Sequence, residues 1–232
     1  MGTSSSASGP KSSEWTAAKS AATRLARGRT GATPRTVVRS GARALGGGAG
    51  TGAGGWTGGS ATAAQRVGGL LAGASTDGLG ETLQRVGIAD LEGKPPGDAL
   101  LSILDWVAAD STTLDDQAAR RAAEQVLSAL LESDDDVFDT PMDVSEAAEL
   151  FRQFLVEYLT RTILTPLLKQ LTENSGASQA RRHERDIRRV VDALVHLELD
   201  ANQFQRVDWF GDDGAKLVDR LRHDALDLLS AD

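Results

Sequence analysis

The feature that most constrains the fold of this 232-residue chain is its division into a basic, glycine-rich N-terminal stretch and an acidic remainder. Up to about Thr76 the chain carries nine basic side chains against one acid, Glu14, which gives a net charge of +8. Because the whole chain carries −8, the other 156 residues carry −16. Large apolar residues at helical spacing are concentrated in the acidic part. We therefore expect the core there, preceded by a largely flexible arm rich in Gly, Arg and Ser.

The acidic part shows the apolar periodicity of helices and no alternating run of strand length. A long helix is expected over 145–164, for example, with Phe151 and Phe154 on its buried face. The pattern predicts an all-α fold, a helical bundle of about six or seven helices. We place the domain division so that residues 1–59 form the arm, with up to two short helices, and residues 60–232 form the acidic all-α domain.

Local signals predict where helices begin and end. In the arm, Ser13 is expected to cap a first helix, and Thr33, which precedes a proline, is expected to cap a second. The glycine-rich stretch 46–59 is typical of a linker. In the acidic part, Gly73 is expected to end a helix that begins at Ala61.

Farther along the acidic part, a proline and a glycine are expected to divide the helices. Pro166 is expected to kink or restart the long helix, and the sequence up to Gly176 to stop it. A helix over 178–199 is expected to follow, and a last helix begins near Asp213 or Gly214.

Composition excludes several classes of site. The chain has no cysteine, so disulfides, thiol nucleophiles and thiolate metal sites are excluded. It has no apolar run long enough for a membrane span and no signal-peptide pattern at its N-terminus. Arginine far outnumbers lysine, which favours a GC-rich bacterial source. We expect a cytoplasmic protein without cofactor.

No group of residues in the sequence has the spacing of a catalytic or metal site. The histidines, His183, His196 and His223, are far apart, and the acidic runs lack the alternating ligands of a calcium loop. The arginines of 181–189 alternate with acids, which favours a charged outer surface over a phosphate-binding face. We expect that the protein is not an enzyme and holds no metal.

The basic arm has three interpretations. It could attract phosphates, dock on an acidic face of a partner or of its own body, or act as a solubilising tail. Weak, sequence-independent nucleic-acid binding is the most we expect, because the acidic body repels the same phosphates. The candidate contacts to a partner or to phosphates are Arg24, Arg27, Arg29, Arg35, Arg39 and Arg43.

The first residues form a leader with a specific chemical character. After loss of Met1, Gly2 would provide an unhindered α-amine, and small hydroxyl residues follow it. This composition cannot support a core, so we expect a flexible strand able to enter a narrow active site. The opening also fits a myristoylation pattern, which carries little weight in a bacterial chain. The candidate modification and partner-binding residues are Gly2, Thr3, Ser4, Ser5 and Ser6.

The chain resembles a known family in its leader and in several later segments. These are Met1-Gly2-Thr3-Ser4, the Gly69–Ser75 segment, the stretch from Leu83 to Pro95 and the segment from Ala99 to Trp106. They are similar to the B component of the Qat anti-phage defence system, the QatB-like proteins. The resemblance implies a QueC-like enzyme as partner, which conjugates a deazaguanine to the N-terminal glycine. It also implies an ATPase and a TatD-like nuclease in the same system.

Two other functions stay open from the sequence. The protein could be a nucleic-acid-binding accessory protein that uses its basic arm, or a phage-derived structural or scaffolding protein with a basic packaging tail. The Qat resemblance favours a non-enzymatic defence component over both.

Overall fold

The computed structural model describes residues 12–48, 58–89, 91, 94–109, 112–133, 138–195 and 200–231. Within them the chain forms eleven α-helices, one short 3₁₀ helix and no strand, so the all-α prediction is confirmed. The helices are α1 Ser13–Ala26, α2 Pro34–Ala44, α3 Gly58–Asp77, α4 Leu79–Arg85, α5 Pro96–Val107, α6 Leu114–Ser133, α7 Val144–Leu164, α8 Leu168–Ser175, α9 Ala177–Leu194, α10 Ala201–Arg206 and α11 Asp212–Ser230, with the 3₁₀ helix Thr165–Leu167 between α7 and α8.

The acidic part holds more helices than the six or seven expected, since α3 to α11 all belong to it. One addition is α8, which restarts the chain after the 3₁₀ turn at Pro166, because proline lacks the N–H that a continuous helix needs there. The other is α10, which Asp200 caps through a hydrogen bond from the Gln203 N–H at 2.8 Å. The helix expected over 178–199 ends at Leu194.

The structure divides the chain into two compact units. Unit 1 comprises Met1–Gly54, Thr162–Val195 and Ala225–Asp232, and unit 2 comprises Gly55–Arg161 and His196–Asp224. This division does not coincide with the one expected at residues 59 and 60, because α1 and α2 pack with later helices of unit 1. From the sequence we also expect residues from about 77 to 232 to fold without the arm, and this stays a prediction.

Unit 1 contains the described part of the basic arm. The expected short helices are present as α1 and α2, which pack on each other, α1 on α8 and α2 on α9. Their inner faces are buried and consist mostly of small residues, so this stretch contributes to a core. The buried residues are Trp15, Ala18, Ala21, Ala22 and Leu25 on α1, and Val37, Val38, Gly41, Ala42 and Ala44 on α2.

Of the two N-caps predicted for the arm helices, one is confirmed and the other is wrong by one residue. Thr33 caps α2 as predicted, with its hydroxyl accepting from the Thr36 N–H at 3.3 Å. The cap of α1 is Ser12 and not Ser13: the Ser12 Oγ accepts from the Trp15 N–H at 3.3 Å. An N-cap residue keeps an extended backbone, which Ser12 does, whereas Ser13 is already helical.

The glycines after α2 and within α3 act as packing sites. The expected linker 46–59 is in part structured, since the Gly48 N–H donates to Asp227 Oδ1 at 2.7 Å within unit 1 and α3 already begins at Gly58. Gly73 does not end α3, which continues to Asp77; its missing side chain leaves the space that a side chain of α4 fills. A Cβ on Gly73 would lie 2.5 Å from the Thr82 Cγ2 atom.

Unit 2 is built around α3, which packs on α4, α5, α6 and α10. Its core contains a chain of aromatic contacts. Phe151 lies 5.9 Å from Phe154, 5.7 Å from Phe204 and 4.9 Å from Trp209 between ring centroids. All four rings are buried, as the apolar stripe of α7 predicts for its two phenylalanines.

Candidate functional site

The candidate leader residues 2–6 lie outside the described residues. The described chain begins at Ser12, the cap of α1. The candidate arginines of the arm, in contrast, all lie in described parts of unit 1, where they fall into two groups.

Three of these arginines surround the turn between α1 and α2. Helix α1 ends in a Schellman motif, in which Gly28 takes φ +61° and the Arg29 N–H donates to the Arg24 carbonyl at 3.0 Å. This bond brings two basic residues together, and Arg35 follows in the first turn of α2. All three side chains are exposed, and within the described residues none has a hydrogen bond or ion pair. They are therefore available to a partner.

The other three arginines have interactions inside the protein. The Arg27 Nε donates to Asn174 Oδ1 at 2.9 Å, which ties the end of α1 to α8. The Arg43 Nη2 donates to the Ser230 carbonyl at 3.2 Å at the end of α11. Arg39 is half-buried and also interacts with other groups of the protein. The six candidates thus do not form a single free basic surface.

Helix α9 adds further cations to unit 1. Its buried face carries Ala180, His183, Ile187 and Val191, and the arginines lie outside that face. Arg181, Arg182 and Arg185 are exposed, as a charged outer surface predicts, and Arg189 pairs with Asp186 at 3.7 Å. Like the arm helices, α9 belongs to unit 1.

The two units differ strongly in charge. Unit 1 has 14 basic and 7 acidic side chains, a net charge of +7, and unit 2 has 11 basic and 26 acidic ones, a net charge of −15. The contrast seen along the sequence therefore persists in the fold, but the basic part is a packed unit that includes α9. Sequence order alone could not assign α9 to it.

The remaining sequence candidates do not come together. His183 is buried on α9, His223 is exposed on α11, and His196 lies outside the described residues. Among the described residues, no three His, Asp or Glu side chains are grouped so that they could hold a metal ion. In the part of the chain that the structure describes, no helix is both long enough and apolar enough to span a bilayer.

A buried polar network in unit 2 is a feature that sequence reasoning missed. Asp115 in the first turn of α6 accepts a hydrogen bond from the Tyr158 hydroxyl at 2.7 Å and another from the Ser60 hydroxyl. Tyr158 and Ser60 are fully buried. Burial raises the pKa of the Tyr158 phenol above its usual 10.0, and the charge of Asp115 raises it further, against a lowering by Arg222. The phenol is therefore a hydrogen-bond donor that joins α7 to α6.

The sequence signal for this network was ambiguous. Asp115 lies in the first turn of α6, where an acidic side chain stabilises the helix N-terminus, and Tyr158 falls within an apolar stripe. Each residue could therefore be explained by its own helix. Only the packing of α3, α6 and α7 makes them partners. The network has the properties of a structural link, since Tyr158 and Ser60 are buried, Asp115 is half-buried, and the three groups are hydrogen-bonded to one another.

Comparison with known proteins decides the family. A family model described as Qat anti-phage system associated protein QatB matches residues 47–229. The chain belongs to the QatB family. The family expected from the sequence is thereby confirmed, and this QatB-family chain is a component associated with the Qat anti-phage system. No curated protein and no solved structure is significantly similar to it.

The QatB match covers α3 to α10 and nearly all of α11, but not the leader, α1 or α2. The polar network and the aromatic core lie inside the matched range. Two helices outside the range nevertheless pack on α8 and α9, which lie inside it. The basic unit of this chain therefore combines segments within the family match with segments that precede it.

Proposed function

We propose that this QatB-family chain is a non-enzymatic component of the Qat system whose N-terminal glycine is presented to a QueC-like enzyme, which conjugates a deazaguanine to it. Membership in the QatB family carries the proposal, together with the Met1-Gly2-Thr3-Ser4 opening. The leader precedes the matched range, so the proposal depends on a test at Gly2 itself.

The packing of α1 supports a role in presentation. Ser12 caps this helix and Trp15, only 6 % exposed, holds its first turn in the core of unit 1. Gly2 is thus attached ten residues before a packed helix. Ten residues span at most about 36 Å, which limits how far from unit 1 an enzyme can act on Gly2. A partner that binds near α1 would gain a high effective concentration of its substrate.

The proposed reaction is acylation of an amine. In the activation step a carboxylate oxygen of the deazaguanine attacks a phosphorus atom of ATP, a P–O bond of ATP breaks with release of ADP or pyrophosphate, and a mixed anhydride with a phosphate-containing leaving group forms. The neutral α-amine of Gly2 attacks the activated carbonyl carbon, the new C–N bond forms, and the C–O bond to the leaving group breaks. One proton passes from the amine to solvent, and an amide remains. The partner supplies the catalytic groups and this chain supplies the nucleophile.

Amine basicity favours the terminus over the lysines of the arm. An α-amine has a pKa of about 7.7–8.0, so an appreciable fraction is neutral near neutral pH, whereas lysine at about 10.4 is almost fully protonated. Lys11 and Lys19 are the only lysines in the first 54 residues. Glycine also gives the least steric hindrance at the reacting centre. Selectivity for Gly2 therefore needs little further recognition.

The exposed arginines around the α1–α2 turn are the proposed docking contacts for the modifying enzyme. Arg24, Arg29 and Arg35 have no side-chain partner within the described residues, and they belong to the same unit as α1. Replacing all three by glutamate should lower the rate of modification of the full chain. An isolated leader peptide, which lacks these arginines, should be modified no faster than this variant.

Mass spectrometry of the N-terminal peptide tests the conjugation. The full chain, a QueC-like enzyme, its precursor and ATP should give one deazaguanine on Gly2, and Gly2→Glu should abolish it while the far-ultraviolet circular dichroism stays unchanged. Lys11→Arg with Lys19→Arg serves as the matched control and should be modified normally. An unmodified Gly2 under conditions in which the partner is active would overturn the proposal.

Nucleic-acid binding by unit 1 is the second candidate, favoured by the same three exposed arginines and the net charge of +7. Such binding would weaken steeply with salt, with a log–log slope of roughly −0.9 for each phosphate neutralised on duplex DNA. A gel-shift titration at two salt concentrations measures it. Tight, salt-resistant and sequence-selective binding would make this the leading function.

A further inference from the structure

Phe210 is an exposed aromatic residue in unit 2 whose ring is nevertheless held in place. Its side chain is 57 % exposed. One side of the ring rests on α3 at Gly69, where a Cβ would lie 2.5 Å from the Phe210 Cζ atom. The ring also meets Trp106 edge-to-face, with centroids 6.1 Å apart and planes at 72°. One side of the ring therefore packs against the protein, and the other side is exposed to solvent.

The neighbouring residue explains how the short connection between α10 and α11 displays this ring. Trp209 is only 3 % exposed, packs over Gly68, and its Nε1 donates to the Phe204 carbonyl at 2.9 Å. The connection also closes on itself, since the Gly214 N–H donates to the Asp208 carbonyl at 3.0 Å. Trp209 thus anchors the connection in the core, and Phe210 points outward. Because the connection is already held in place, binding of a partner would cost little conformational entropy there.

Two carboxylates flank Phe210 in the chain and have no internal cation. Asp208 and Asp212 are exposed, and within the described residues neither has an ion pair. Asp213, the next acid, is engaged by Lys216 at 3.7 Å. A guanidinium already lies over the neighbouring indole: the Arg66 Cζ is 5.0 Å from the Trp106 ring centroid. An exposed aromatic ring, with acidic residues two positions before it and two positions after it in the chain, suits a cation with an apolar stem.

We propose that Phe210, with Asp208 and Asp212, is a docking site for an arginine or lysine side chain presented by a protein partner. The aliphatic stem and charge of that side chain lie on the ring, and the carboxylates complement the charge. The net charge of −15 on unit 2 favours a basic partner and disfavours a nucleic acid. The site is separate from the leader, so it does not depend on the proposed conjugation.

Fluorescence anisotropy with the full chain and a labelled peptide of alternating arginine and leucine tests the site. Phe210→Ser should weaken binding about tenfold without changing any charge. Leu101→Ser is the matched control, because Leu101 is also 57 % exposed and lies elsewhere in unit 2, on α5. It should leave the affinity unchanged. Asp208→Asn with Asp212→Asn should weaken binding and reduce its salt dependence, and it reports on the site even if Phe210→Ser alters the fold.

Three results would overturn the proposal. Equal affinities of Phe210→Ser and Leu101→Ser would mean that the peptide is attracted only by the overall charge of unit 2. Unchanged affinity of the double asparagine variant would remove the role of the two carboxylates. Binding of duplex DNA that depends on Phe210 would assign the ring to nucleic acid.

Discussion

In unit 2 the core contains a set of contacting aromatic rings, whereas in unit 1 the buried faces of α1 and α2 consist mostly of alanine, valine and glycine. Phe151 alone contacts three other rings within 6 Å. In α2, by contrast, Gly41 lets the helix approach Ile163 so closely that an added Cβ would lie 2.6 Å from its Cγ2 atom. Close helix approach gives many dispersion contacts without large side chains. A stretch that is poor in large apolar residues can therefore still be packed.

The aromatic core predicts the largest loss of stability. Phe151→Ala should lower the free energy of unfolding by about 3–5 kcal/mol, because it removes a fully buried ring and leaves a cavity beside Trp209. Urea unfolding followed by circular dichroism measures the loss. Leu101→Ala, at an exposed position, should change stability by no more than about 0.5 kcal/mol. Equal effects of the two substitutions would contradict an aromatic core in unit 2.

The polar network gives a second, pH-dependent comparison. Tyr158→Phe should cost about 1–3 kcal/mol at neutral pH, because Asp115 loses a buried donor. In the folded chain the pKa of Tyr158 is raised above 10.0, the usual value for a tyrosine phenol. As pH rises, the phenol therefore loses its proton in the unfolded chain before it does so in the folded one. Stability should be full below pH 10 and decline above it. The phenylalanine variant should lack this part of the decline.

The pH effect has a direct spectroscopic measurement, since Tyr158 is the only tyrosine of the chain. Tyrosinate absorbance should rise near pH 10 in denaturant and at higher pH in the native protein. Coincident titrations in the two states would show that the phenol is not buried and would contradict the network.

The difference between the units also explains what could be predicted from the sequence. The all-α class and the span of α7 followed from large apolar residues at helical spacing, and Phe151 and Phe154 are buried as expected. The first arm helix was predicted with Ser13 as its cap, and the second from the signals at Thr33 and Pro34. Their burial was not, because alanine and valine faces such as that of α2 have the same pattern in a free helix and in a packed one.

A glycine caused one of the errors in placing helix ends. Gly73 was expected to end α3, yet the helix continues through it, and the glycine instead leaves room for Thr82 of α4. Gly68 and Gly69 likewise provide space for Trp209 and Phe210, which lie about 140 residues later in the chain. Such contacts depend on tertiary structure, so a local pattern cannot distinguish a glycine that ends a helix from one that allows close packing. The Phe210 site was missed for the same reason.

The packing of α2 in unit 1 can be tested with a substitution that should stabilise a free helix and destabilise a packed one. In a free helix, Gly41→Ala should stabilise by about 0.5–1 kcal/mol, because alanine is the better helix former. In packed α2 the new methyl group would clash with Ile163, and overpacking of this kind costs about 1–3 kcal/mol. We expect a net loss, measured as faster hydrogen exchange in α2 and α9.

Gly97→Ala is the matched control for this test. Gly97 also lies in a helix, α5, but nothing stands within 4 Å of its added Cβ. This variant should be neutral or more stable than the native chain. Slower exchange in α2 of the Gly41→Ala variant would mean that the arm helix is not packed as described.

The smallest expected effect concerns the point where the leader joins unit 1. Ser12→Ala should cost about 1 kcal/mol, because the Trp15 N–H loses its capping acceptor. Ser13→Ala, one residue later and within the helix, should be near neutral, since alanine is a good helix former. Hydrogen exchange of the first turn of α1 distinguishes the two. A larger effect at Ser13 would move the cap, and with it the end of the leader, by one residue. Equal small effects would mean that burial of Trp15 alone fixes this end of α1.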